Sequence, residues 1–151
     1  RLLIDLLDWK GEVVPAPSSI LVTAELTGKI NGFDAEQSIH ADKDFYYRVA
    51  NETAIGRIPQ ITWYYRVHGE NYSSNIDVME ADCLLSYQKC TDLNLFESKQ
   101  HQRDCYATMH YILAGSWYSV KRNYSKTFLN LAKAIQYRPS LVFDLLKKPF
   151  V

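Results

Sequence analysis

Between Asp77 and Tyr137 the chain carries one glycine, Gly115, and no proline. These two residues interrupt regular structure most sharply, so so long a stretch nearly free of them is able to run as helix. Leu84, Leu85, Tyr87, Tyr106, Met109, Tyr111, Ile112 and Leu113 fall in helix-like groupings within it. The pattern predicts two or three helices there and a last one near 140–147.

The texture before Ser74 is different. Leu2, Leu3, Leu6 and Leu7 recur at helical spacing, so residues 1–9 read as a short amphipathic helix ended by Gly11. Pro15 and Pro17 force an extended entry into Ile20–Thr23, a short β-branched run expected to be a buried strand. Residues 24–30 read as one or two helical turns, and Asn31-Gly32 marks a turn. A helix is expected from Asp42 to Ala50, with Phe45 and Val49 on one face. Residues 58–67, rich in β-formers and aromatics, read as a second strand, and Pro59 is tolerable near its start. A boundary near residue 75 therefore divides a mixed α/β piece, 1–75, from an all-helical one, 76–151.

Composition narrows the function classes. The 17 Lys and Arg balance the 17 Asp and Glu, which gives no electrostatic case for nucleic acid. No apolar run reaches the roughly 18 residues a membrane span needs, and no signal peptide opens the chain. The chain starts at Arg1 with an apolar segment following at once, which predicts a cut inside a longer protein. Cys83, Cys90 and Cys105 are odd in number and irregular in spacing, against a disulfide framework and against zinc. They read as reduced thiols buried in helices, in a cytoplasmic protein. Sequons at Asn51, Asn71 and Asn123 are incidental in that setting.

Two constellations could carry chemistry. The first is Gly32-Phe33-Asp34, then Asp42-Lys43-Asp44-Phe45-Tyr46-Tyr47-Arg48. The second is Tyr65-Arg66-Val67-His68-Gly69, followed by Asn71 and Ser73-Ser74. The series resembles family-2 glycosyltransferases, which commonly carry a GFDE turn, an acidic ED-x-D-L-x-L-R helix start and a strand ending YR-x-H with a nearby Asn and Ser. It covers about residues 10–75. Three weak motifs in one order are more specific than any alone. The resemblance implies an α/β fold, the C-terminal part of a GT-A domain (the nucleotide-diphospho-sugar transferase fold), followed by an all-helical tail. It also implies inverting transfer of a sugar from a nucleotide-activated donor to an acceptor hydroxyl, in cell-surface polysaccharide or glycoconjugate synthesis.

Such a reaction needs a base for the acceptor proton and positive charge on the departing diphosphate. Asp42 matches the second acid of the family's ED pair, the implied general base. Ala41 stands where the family often has Glu, which weakens that assignment. An acid in a first helical turn is also favoured simply by the helix dipole. Asp44 lies four residues before Arg48, so an ion pair explains both without catalysis. Asp34 is expected to touch the acceptor or to cap its own turn, with Phe33 plugging the core. Arg66 and His68 share a strand face by the period-2 rule. The resemblance makes His68 a metal ligand or diphosphate contact, and Asp34, Asp44, Arg66 and Asn71 substrate-binding. Strand aromatics Trp63, Tyr64 and Tyr65 read as core more than as a sugar platform. His40, His101 and His110 have no matching context. The implied cofactor is Mn2+ or Mg2+, held mainly by an Asp-x-Asp at the end of an apolar strand upstream. Residues 38–41 do not form such a strand, so Asp42-Lys43-Asp44 is not that motif.

Tyr111, Gly115, Tyr118, Tyr124, Ala134 and Pro139 are similar in placement to the signature of one tetratricopeptide unit, with Thr127 replacing an alanine. A single unit buries too little to form an array, so it reads as a helical hairpin on the catalytic part, suited to a protein partner or to peripheral contact with the inner membrane face. The expected partners are thus a nucleotide-sugar donor, a sugar or lipid-linked acceptor, and no nucleic acid. The competing reading is a non-catalytic helical interaction module.

Overall fold

A computed structural model describes residues 2–9, 17–56, 58, 60, 61, 64 and 75–147. Its regular elements are helical: α1 (Leu2–Leu7), α2 (Ala24–Lys29), α3 (Ala41–Glu52), α4 (Ile76–Asp92), α5 (Lys99–Lys121), α6 (Tyr124–Tyr137) and α7 (Leu141–Lys147), with a 3-10 turn at Pro17–Ser19. The expected α/β architecture of a GT-A domain is corrected here, because there is no strand and no sheet among the described residues.

Ile20–Thr23, expected as a buried strand, runs without a ladder partner, and Leu21 is 94 % exposed. A strand is stable only when its amides and carbonyls pair across a sheet, and no second strand is described to pair with it. Of the second expected strand, 58–67, only Ile58, Gln60, Ile61 and Tyr64 are described; all four are exposed and none is in a strand. Trp63 and Tyr65 lie outside the described residues.

The helices follow from local sequence. Thr23 caps α2 by accepting from the Leu26 amide at 3.2 Å. Asn31 and Gly32 both take positive φ, 59° and 62°, the left-handed geometry that Asn and Gly tolerate best. Ser98 caps α5 by accepting from His101 N at 3.0 Å. Asn123 caps α6 by accepting from Lys126 N at 3.0 Å. α4 and α5 each end on a left-handed residue, Asn94 and Arg122, with the next amide reaching back to Cys90 O and Trp117 O.

Two compact units result, residues 1–95 and 96–151. In the first, α1 and α4 pack on α3 around Leu7, Phe45, Tyr47, Val49, Ile76, Cys83, Tyr87 and Cys90, all buried. Burial of such side chains, at about 1.5–3 kcal/mol each, is what holds these short helices together. In the second, α5 and α6 form an antiparallel hairpin. Thr127, Asn130 and Ala134 line the buried stripe of α6, and His110 Nδ1 lies 2.8 Å from Asn130 Oδ1 inside it. Gly115 meets no neighbouring atom where a side chain would begin, so close helix approach does not require it.

Candidate functional site

Helix α3 carries two of the described candidates, Asp42 and Asp44, and its turn geometry sorts them, while Asp34 lies in the loop before it. Asp42 and Tyr46 are one turn apart on one face, whereas Asp44 and Arg48 occupy the opposite one.

On the second face the two parts of the first constellation, the turn at Gly32-Phe33-Asp34 and the start of α3, meet. Arg48 donates from Nε and Nη2 to Asp44 Oδ2, at 2.9 and 2.6 Å. Its Nη1 donates to Ile30 O at 2.5 Å and Gly32 O at 2.8 Å. One guanidinium thus ties the Gly32-Phe33-Asp34 turn to the helix. Phe33 adds a parallel stack on Phe45, with centroids 4.4 Å apart. Phe33 does not plug the core as expected, since half of it stays exposed. Asp34 folds its own turn by accepting from Glu36 N at 3.1 Å and Gln37 Nε2 at 3.3 Å. It also pairs with Lys89 of α4, which reaches Glu36 at 3.2 Å. The Lys89 bond holds the Asp34 carboxyl below its ordinary range. Asp34, Asp44, Arg48 and Lys89 all border a cleft of about 510 Å3.

The first face is quieter. Asp42 Oδ1 accepts from the Lys43 amide at 2.7 Å, and the amide of Asp42 itself also bonds its carboxylate. Partial burial pushes the Asp42 carboxyl above its ordinary range, against the opposing pull of that amide and of Lys43. Tyr46 is buried, its hydroxyl lacks a hydrogen-bond partner among the described residues, and burial followed by the charge of Asp42 raises its pKa. Tyr46 also lines a cleft of about 480 Å3 walled by Ile20–Thr23, α2 and the end of α3. Lys29 and Glu52, two of its lining residues, form a 2.5 Å ion pair.

The start of α3 is set from a distance. Asp82 of α4 turns one oxygen, Oδ2, toward three consecutive amides, Ser38 N (2.8 Å), Ile39 N (2.7 Å) and His40 N (3.1 Å). The Ser38 hydroxyl adds a fourth bond at 3.3 Å. Nearby, the Lys43 amine sits 3.2 Å from the Trp9 ring centroid, and that ring stacks on His40 at 5.5 Å. Trp9 Nε1 donates to Tyr87 Oη at 2.6 Å, and Tyr87 Oη donates to Leu7 O at 2.5 Å.

Asp82 and Trp9 were not singled out in the sequence, and Tyr46 was named there only as part of the Asp42–Arg48 run. Asp82 lies within an ordinary amphipathic helix, and nothing local marks it. Arg66, His68 and Asn71 lie outside the described residues, so their expected roles as metal ligand and substrate contacts have no geometry here. Asp42 and Asp44 do not fit a shared divalent cation: they project from opposite faces, and Asp44 is committed to Arg48. No helix among the described residues is long and apolar enough to cross a membrane.

Comparison with models of known protein families, with curated proteins and with solved structures finds no match for this chain.

Proposed function

We propose that this chain supplies the acceptor side and the general base of a sugar transferase that uses a nucleotide-activated donor. The observation that carries the reading is Asp42: a partly buried carboxyl with a raised pKa, one turn from Tyr46, which lines a cleft of about 480 Å3. Two of the three sequence motifs also form one spatial unit, joined by Arg48 and by the Phe33–Phe45 stack, which is what a turn and helix serving one site require.

In this reading an acceptor hydroxyl lies against Asp42. Its oxygen bonds to the anomeric carbon of the donor as the bond from that carbon to the diphosphate breaks. The proton passes to Asp42, and the diphosphate leaves with the electron pair. A base with a pKa lifted toward working pH makes that transfer more effective than an ordinary surface aspartate would. Asp34 and Asp44 act as positioning residues, since their ion pairs fix the turn and helix rather than leave them open to substrate.

Transfer by the intact protein, assayed with a panel of nucleotide sugars and simple sugar acceptors, tests this. Asp42→Asn should lower kcat by about 10²–10⁴-fold with an unchanged circular dichroism spectrum. Full turnover in that variant removes Asp42 as the base, and the absence of transfer with any donor removes the reading.

A further inference from the structure

Helix α6 presents an unusual outward face. Ser125, Phe128, Leu129, Ala132 and Gln136 are all exposed and none is charged. Phe128 is 67 % exposed and Leu129 50 %. A surface helix ordinarily turns charge to solvent on the side opposite its buried stripe. Here the outward side carries Phe128 and Leu129 instead, and exposed apolar patches mark contact surfaces.

Charge around that face is one-sided. From Cys105 to Phe143 the sequence has no Asp or Glu, while Lys121, Arg122, Lys126, Lys133 and Arg138 supply five positive charges in a chain that is neutral overall. Lys126 and Lys133 border one edge of the outward face of α6, and Lys121 and Arg122 sit at the turn leading into it. That turn also exposes Val120, Tyr118 and Tyr124. Tyr118 and Tyr124 meet edge to face at 6.1 Å, and the Arg122 guanidinium lies 4.8 Å from the Tyr118 ring centroid.

We propose that α6 and the α5–α6 turn dock on an anionic lipid surface, with Phe128 and Leu129 entering the headgroup boundary and the basic side chains meeting acidic headgroups. An acid-free rim around an uncharged apolar face suits a negatively charged bilayer. Tyrosines at the rim match the interfacial preference of amphipathic rings. A second copy of this chain would bring the same positive charges against these, an unfavourable pairing.

The test is co-sedimentation of the full chain with phosphatidylcholine vesicles, with and without phosphatidylserine. Binding should require phosphatidylserine and fall as salt is raised. Lys121→Gln and Arg122→Gln should each weaken it about fivefold. Phe128→Ser with Leu129→Ser should weaken it more than tenfold, because both side chains are lost from the apolar insertion. Circular dichroism confirms the fold of each variant, and the two charge variants test the proposal independently of the apolar pair. Equal binding to neutral vesicles, no binding, or indifference to all the substitutions overturns the proposal. So does a dimer that dissociates on Phe128→Ser without vesicle binding, which assigns the face to a second copy.

Discussion

At the scale of single residues, solvation decides the chemistry. Asp42, in the first turn of α3, and Asp34, in the loop before it, are both aspartates, yet desolvation lifts one and Lys89 depresses the other. The acid limb of the pH–rate profile should therefore lie above the ordinary aspartate range, and it should be lost in Asp42→Asn. His40 is the more sensitive reporter of stability. Burial, reinforced by Lys43 and opposed by Asp82, brings its pKa down to about 3. Its Nδ1 faces Cys83 Sγ at 3.5 Å, with Trp9 and Tyr47 against its ring. The folded state holds it neutral, whereas the unfolded chain takes up a proton below about pH 6.5. Its contribution is thus fully present above that pH and declines as pH falls toward 3, by at most about 1.4 kcal/mol per unit. Urea melts between pH 7 and 4.5 should show this slope, and His40→Gln should flatten it. The sequence offered no sign of it, since Trp9 comes from the segment after α1 and Asp82 and Cys83 come from α4.

Elements were the most legible level. Helical spacing and Asn31-Gly32 placed α1, α2, α3 and α7 closely, and the near absence of Gly and Pro marked 77–137 as two or three helices without fixing the ends of α4, α5 and α6, because these signals are local. The Asp44–Arg48 pair was legible for the same reason. Ile20–Thr23 was misread because β-branching marks a residue that fits a sheet, and a sheet depends on partners elsewhere in the chain. Helix ends offer a direct check. Arg122 holds a left-handed φ of 50°, a geometry that costs a side-chain-bearing residue roughly 1 kcal/mol. Arg122→Gly should raise the stability of the α5–α6 hairpin by about 0.5–1 kcal/mol, the loss of its Tyr118 contact offsetting part of the gain. Thermal melts of the two proteins measure the difference.

For the whole molecule, composition and packing change at different places. The sequence texture shifts near residue 75, while the contacts divide after Leu95, so α4 belongs by packing to the first unit. Composition reports what a segment can form, and packing reports what it buries against. The three thiols divide accordingly, Cys83 and Cys90 in the first unit and Cys105 in the second, all buried. Burial pushes the Cys83 and Cys90 thiols up to about 12, so they are protonated and shielded together. A thiol reagent should label none of the three rapidly in the native protein. Under mild denaturant Cys83 and Cys90 should react at one shared rate and Cys105 at its own, which mass spectrometry of the labelled peptides resolves.

The Asp82 carboxylate makes the loop before α3 behave unlike a loop. Amides in such segments normally swap their hydrogens with water on the fastest timescale a protein shows. Ser38, Ile39 and His40 instead give theirs to an acceptor more than forty positions along the chain, and cannot release them until α4 lifts away. Hydrogen–deuterium exchange should find these three amides as slow as the middle of α4, an island of protection in irregular backbone. The helix that holds Asp42 is then not a self-sufficient piece of secondary structure. It begins where it does only once a distant segment has arrived, so its formation in folding should trail the docking of α4.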